Sequence, residues 1–205
     1  LIPSALLNLN NNMMVAVDVE TTGLLAGYHE IVQIAVVPLN SELQPCEDHR
    51  PFYISIRPDH PERQKGAAGV HGLKMDELLS MSVSQEKAAD LFDEWFVNLE
   101  LPYKKRLAPL AHNWAFERGF LSHWLGLETF DAIFHPYARD TWVLATIIND
   151  AAAWHGRECP FTRIKLGAMC ERFGFNVLNA HDALSDALAT AKLYREMLRS
   201  FGRGG

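Results

Sequence analysis

A single α/β domain, built on a mixed sheet with helices packed against it, is the fold class that the order of periodicities in the sequence predicts. Three short runs of period-2 alternation crowd into residues 13–57, and helical periodicity takes over from residue 70. Only two brief apolar runs interrupt the helices afterwards. No internal repeat, low-complexity block or long linker divides the chain, so residues 13–200 are read as one unit.

The first strand is predicted at 13–20, MMVAVDVE. Val15, Val17 and Val19 fall on one face, and Ala16, Asp18 and Glu20 on the other, so the second face ends in two acids. After the turn signal Thr22-Gly23, the runs 31–39 (IVQIAVVPL) and 51–57 (PFYISIR) supply two more strands, short enough for an antiparallel meander. Helical patterns follow near 75–80, 84–98, 115–126, 141–153, 163–173 and 183–198, with strand candidates at 106–111 and around 132–138. Asp140 before Thr141 and Asp182 before Ala183 are predicted helix N-caps, and Gly174 after Phe173 is a predicted helix stop.

With 48% hydrophobic and 21% charged residues in 205, the composition excludes collagen-like, disulfide-scaffold and wholly disordered chains. Lys and Arg total 19 against 25 Asp and Glu, a formal charge of −6, which argues against coating nucleic acid through bulk positive charge. Local binding of a polyanion through metal ions or a small basic patch stays compatible with it. Cys46, Cys159 and Cys170 form no C-x-x-C pair, so neither a zinc site nor a disulfide framework is supported, and a reducing cytoplasm is the expected compartment. No stretch approaches the roughly 18 apolar residues of a membrane span, and Leu1 to Leu7 lack the basic start and cleavage site of a signal peptide. Residues 1–12, without an initiator Met and rich in Asn, are expected to be a flexible leader or part of a longer gene product. Residues 201–205 are expected to be a flexible tail.

The chemistry is expected first at Asp18-Val19-Glu20. A D-x-E triplet arises about once by chance in a chain this acidic, so the triplet alone says nothing. Period-2 geometry, however, puts both carboxylates on one face at a strand end, where like charges cost free energy unless a cation or hydrogen bonds compensate. Extending the match to D-x-E-T-T-G lowers the chance expectation by about four orders of magnitude.

Further along, Phe116, Phe120 and Trp124 recur at spacing four and read as a core-facing helical stripe. Glu117 lies one position off that stripe, where its carboxylate faces either solvent or the Asp18/Glu20 site. Asp186 stands near the start of the last helix, where the helix dipole alone would account for it, and His181 reads on its own as a loop histidine, one of nine in the chain.

Together these blocks resemble the DnaQ-like, or DEDDh, 3′–5′ exonucleases, the family of ribonuclease T and of the proofreading subunit of bacterial DNA polymerase. The first family motif is matched by Asp18-Val19-Glu20-Thr21-Thr22-Gly23-Leu24, the second by His112-Asn113-Trp114-Ala115-Phe116-Glu117-Arg118-Gly119-Phe120-Leu121, and the third by His181-Asp182-Ala183-Leu184-Ser185-Asp186. His71-Gly72-Leu73 and Asp140-Thr141 are minor matches. One departure is visible: Glu117 stands where the family usually has Asp.

The resemblance implies a ribonuclease H-like mixed five-stranded sheet flanked by helices, and an exonuclease domain over residues 13–200. It implies Asp18, Glu20, Glu117 and Asp186 as ligands of two divalent ions, Mg²⁺ or Mn²⁺, with His181 as general base. The backbone at Thr21 and Thr22 would meet a terminal 3′-hydroxyl, Leu24 would pack on the last base, and His71 would line the cleft. The implied substrate is the 3′ end of single-stranded DNA or RNA, with nucleoside 5′-monophosphates as product. The chemistry supports the set, because in-line hydrolysis of a phosphodiester is served by two cations about 4 Å apart and by an imidazole that accepts a proton near neutral pH. Oxygen-only ligands suit Mg²⁺ or Mn²⁺. A 3′-end-binding module with impaired catalysis is the alternative, with the extra methylene of Glu117 as its cause. No membrane is expected as partner, and a second copy of the chain or a polymerase or repair protein is left open.

Overall fold

The computed structural model describes residues 11–63 and 82–201. β1 (Met13–Thr21) runs through the middle of the sheet because both of its faces are covered. Val15, Val17 and Val19 join one apolar cluster, and Met14 and Ala16 a second one on the opposite side. β2 (Ile31–Pro38) pairs antiparallel with β1, and β3 (Phe52–Ser55) antiparallel with β2, which is the expected meander. β4 (Leu107–Ala111) lies parallel to β1 on its other side and β5 (Arg139–Asp140) parallel to β4, giving five strands in the order β3-β2-β1-β4-β5. The sheet is mixed and five-stranded, as expected.

Six α-helices are described: α1 (Gln85–Val97), α2 (Trp114–Leu125), α3 (Leu127–Ile133), α4 (Thr141–Trp154), α5 (Leu166–Arg172) and α6 (Ala183–Phe201). The first cluster is aromatic: Phe52 meets Phe92 edge-on at 5.1 Å and Phe130 stacks with Phe134 at 5.1 Å, so α1, α2 and α3 are sealed against one face. On the other face the small side chains Ala183, Ala187 and Ala191, one per helical turn, let α6 lie close to Met14, Ala16, Ala35, Val37 and Leu110. A third cluster, including Ala145, Phe161, Met169, Leu193 and Met197, ties α4 and α5 to α6.

Two expectations are corrected. The strand predicted around 132–138 is largely displaced: 127–133 is helical, with Phe130, Ile133 and Phe134 buried at helical spacing, Phe134 makes a single parallel bridge to Leu107, and the ladder of β5 begins at Arg139. The helix predicted over 163–173 begins only at Leu166. Before it, the Asn149 side chain holds Phe161 by donating to its carbonyl at 2.8 Å and accepting from its N–H at 2.9 Å. The expected caps are present: Asp140 accepts from Trp142 and Val143 N–H, Asp182 Oδ2 accepts from Ser185 N–H, and Gly174 turns left-handed at φ 79°. The helix predicted near 75–80 and His71 lie outside the described residues. Of the expected leader, Asn12 is described, and its Oδ1 accepts Arg106 N–H at 2.8 Å.

Candidate active site

Asp18 and Glu20 occupy alternate positions of β1 on the face that α6 covers, beyond the last of the apolar residues there. A bulge separates Glu20 from Thr21, since Glu20 pairs with Gln33 but Thr21 with Ile31. Such a bulge bends the strand and re-aims the side chains beside it. The alanine stripe of α6 then brings Asp186, three residues after Ala183, down onto this strand end. Carboxylate oxygens of Glu20 and Asp186 and a ring nitrogen of His181 lie within 4.8 Å of one another.

Glu117 arrives from the other side. Because β4 runs parallel to β1, its end at Ala111 leaves the chain beside Asp18, and α2 starts there after a left-handed Asn113 at φ 84°. Asp140 fixes that start: its carboxylate accepts from Asn113 N–H at 3.1 Å and Trp114 N–H at 2.8 Å as well as capping α4. The sequence match at Asp140-Thr141 therefore has a structural meaning, since one side chain sets two helix starts. Glu117 sits in the first turn of α2, only 3% exposed, so of the two orientations open to it the chain adopts the interior one. Its Oε2 is buried without a hydrogen-bond partner.

The electrostatics follow from this crowding. Burial, then the charges of Glu117, Asp186, Glu20 and Asp182, raise the Asp18 carboxyl well above the usual range. Burial and then Asp186 and Asp182 raise Glu20 to about 7. Glu117 is also pushed well up, chiefly by burial, and Asp186 is raised by burial against the opposing pull of the His181 N–H and ring. Acids driven up by burial and then by neighbouring acids are in the situation that a bound divalent ion relieves. The donor set is all oxygen apart from the imidazole, and the orphaned Glu117 oxygen is free to ligate, so the residues fit such an ion.

The loop after Glu20 is built rather than loose. Thr22 is buried; its N–H donates to Glu30 O at 2.9 Å and its Oγ1 accepts Glu30 N–H at 2.9 Å. The Thr22 amide is thus already engaged within the loop. Thr21 Oγ1 donates to Gly23 O at 2.6 Å. A Cβ at Gly23 would stand 2.3 Å from the His29 ring, so any side chain here would displace that ring. Beyond it Leu24 projects into solvent, 81% exposed, with Leu25 and Tyr28 also exposed. A separate cavity of about 370 Å³ lies beside the same loop, its described lining including His29, His60, Arg63, His123 and Trp124 and none of the four site carboxylates.

The structure brings Glu20, His181 and Asp186 within reach of one ion and sets Asp18 in the field of Glu117, Asp186 and Glu20, with Thr21 and Thr22 beginning the adjoining loop. Gln33 and Tyr53, which also reach this corner, were not legible from sequence. The only signal was one amide in the otherwise apolar run IVQIAVVPL. No helix among the described residues is long and apolar enough to cross a membrane.

Comparison with known proteins gives a consistent result. The model of the RNase_T family, described as exonuclease, matches residues 15–194. Ribonuclease T of Baumannia cicadellinicola subsp. Homalodisca coagulata is 27% identical over 195 residues, 93% of this chain and 85% of that protein. A PolC-type DNA polymerase III of Ureaplasma parvum is 24% identical over 93% of this chain but only 12% of its own length. Among solved structures, zinc-bound E. coli exonuclease I with single-stranded DNA aligns at TM-score 0.72 and 18% identity over 95% of this chain. This chain spans 42% of that one. The nuclease domain of 3′hExo, a DEDDh family member bound to rAMP, aligns at TM-score 0.64 and 19% identity, covering 93% of this chain and 94% of that one.

Proposed function

The chain belongs to the RNase_T family of DnaQ-like exonucleases, and from that membership we propose that it hydrolyses single-stranded nucleic acid from the 3′ end, releasing nucleoside 5′-monophosphates with the help of two divalent cations, Mg²⁺ or Mn²⁺. The observation that carries this reading is the convergence of four carboxylates from β1, α2 and α6 on one sheet end, with an imidazole among them. Asp18, Glu20, Glu117 and Asp186 would hold the cations, which when bound supply a nucleophile at neutral pH and relieve charge on the leaving oxygen.

The chain's own residues do the rest. His181, exposed at the lip of the site, accepts the proton of the attacking water, and its backbone N–H on Asp186 Oδ2 at 3.3 Å holds it beside that acid. Leu24 offers the last base an apolar surface that tolerates any sequence. The backbone at Thr21 and Thr22 meets the terminal 3′-hydroxyl, with the Thr22 N–H itself held by Glu30 O and the bulge before Thr21 setting where this backbone lies. His71, outside the described residues, is proposed to line the same cleft. Three free cysteines accord with a reducing cytoplasm as the place of action.

A matched panel of end-labelled single- and double-stranded DNA and RNA tests the proposal, with Asp18→Ala as background. Mononucleotides should leave the 3′ end first, a 3′ block should stop the reaction, and EDTA should abolish it. Mononucleotide from a 5′ label as first product would refute the polarity. Metal-dependent binding without turnover would leave the impaired end-binding module as the correct reading.

A further inference from the structure

We infer that Tyr53, acting through Asp182 and backed by Gln33, is a positioning residue for His181, an inference that rests on the proposed role of His181 as base. Four hydrogen bonds make the arrangement. Gln33 Nε2 donates to the Tyr53 hydroxyl at 3.1 Å, and that hydroxyl donates to Asp182 Oδ1 at 2.5 Å. Gln33 Oε1 accepts Ala183 N–H at 2.8 Å, and Asp182 Oδ2 accepts Ser185 N–H at 3.0 Å. The two residues after His181 are thereby tied to β2 and β3, one through its side chain and one through its backbone.

The histidine they follow is in the left-handed region, at φ 67°. Such a backbone persists in a non-glycine residue only where the surroundings over-determine it. His181 donates its own N–H to Asp186 but is otherwise exposed, so the surroundings that matter are those next in the chain. Gln33 is buried and is the cross-strand partner of Glu20, which means the strand pair that carries one site acid also fixes the entry to the helix that carries another. The Tyr53 bond has a second effect. Asp182 is a further acid near Glu20 and Asp186, and with one oxygen on Tyr53 and the other on Ser185 it is turned to capping and away from the cation set.

Tyr53 lies at the sheet edge, 44% exposed and outside the core clusters, so loss of the hydroxyl alone leaves the core intact. In Tyr53→Phe, which removes the bond to Asp182 and the weaker one from Gln33, the single-turnover rate on a 3′-ended oligonucleotide is expected to fall about tenfold with KM within about twofold, as a loss acting only on positioning would give. Amide hydrogen exchange over 181–186 should accelerate by a similar factor while exchange in β1 stays the same. In an Asp182→Ala background, Tyr53→Phe should cost much less than tenfold, because only the bond from Gln33 is then left to lose. An unchanged rate, unchanged exchange over 181–186, or additive effects in the double variant would each overturn the inference. A wild type inert on every 3′ end would instead refute the proposed activity, and the exchange comparison would then decide the role of Tyr53 by itself.

Discussion

Glu20→Gln removes one charge from the carboxylate cluster while keeping the size of the side chain, and its effect on stability is expected to grow with pH. Burial, followed by the charges of Asp186 and Asp182, moves the Glu20 carboxyl from 4.5 to about 7. Between those values the folded protein keeps a proton that the unfolded chain has lost, so Glu20 penalises folding increasingly as pH rises through this window and fully above it. At 1.36 kcal/mol per pH unit, the penalty is about 1 kcal/mol at pH 5 and about 3 kcal/mol at pH 8. Glutamine carries no such penalty. The advantage of the variant over wild type should therefore widen by about 2 kcal/mol between pH 5 and pH 8, or about 4–8 °C in Tm for a domain of this size. His112, lowered by burial, works in the opposite sense, since the unfolded chain takes up a proton that the fold excludes. Comparing variant with wild type at each pH cancels that contribution. Thermal and urea unfolding in EDTA from pH 5 to 8 measure the difference, and excess Mn²⁺ should narrow it at pH 8 by stabilising the ionised wild type. A gap that stays constant across pH would show that Glu20 is not electrostatically strained in the folded protein.

Glu117→Ala should abolish turnover and Glu117→Asp should retain or raise it, because the shorter acid matches the usual family residue at that place; wild-type activity in the alanine variant would remove Glu117 from the cation set. His181→Ala should leave Mn²⁺ affinity and KM largely intact while lowering kcat by about 10²–10⁴-fold, the contribution of a positioned base. An unchanged single-turnover rate at saturating metal and substrate would take His181 out of the mechanism.

Local periodicity made most of the fold legible. The alternation through Met13–Glu20, the meander after it and the caps at Asp140 and Asp182 are decisions taken within a few residues, and the chain carries them openly. Residues 132–138 were ambiguous because a short apolar run suits a strand and a helix alike. The spacing of Phe130, Ile133 and Phe134 resolves it only once the helix start at Gly126 is known. The site divides in the same way. Asp18 and Glu20 share a face by period alone, whereas the inward turn of Glu117 depends on α2 leaving a strand parallel to β1. Gln33 and Tyr53 act across 150 and 129 positions of sequence, a range in which no pattern of spacing distinguishes them from an ordinary strand amide and an edge tyrosine.

The central place of β1 has a consequence for how such a protein is made. β1 is made well before most of what packs on it: β2 starts ten residues after its end, but its parallel neighbour begins only at Leu107 and the helix that covers its acidic face only at Ala183. Until that helix arrives, Met14, Ala16, Ala35 and Val37 lack their cover, and Asp18 and Glu20 lack both Asp186 and His181. A partly made chain therefore carries only part of the proposed site. Docking of α6 is at once the closing step of the second core and, on the proposed reading, the step that completes the site, so activity would arrive only with a completed fold.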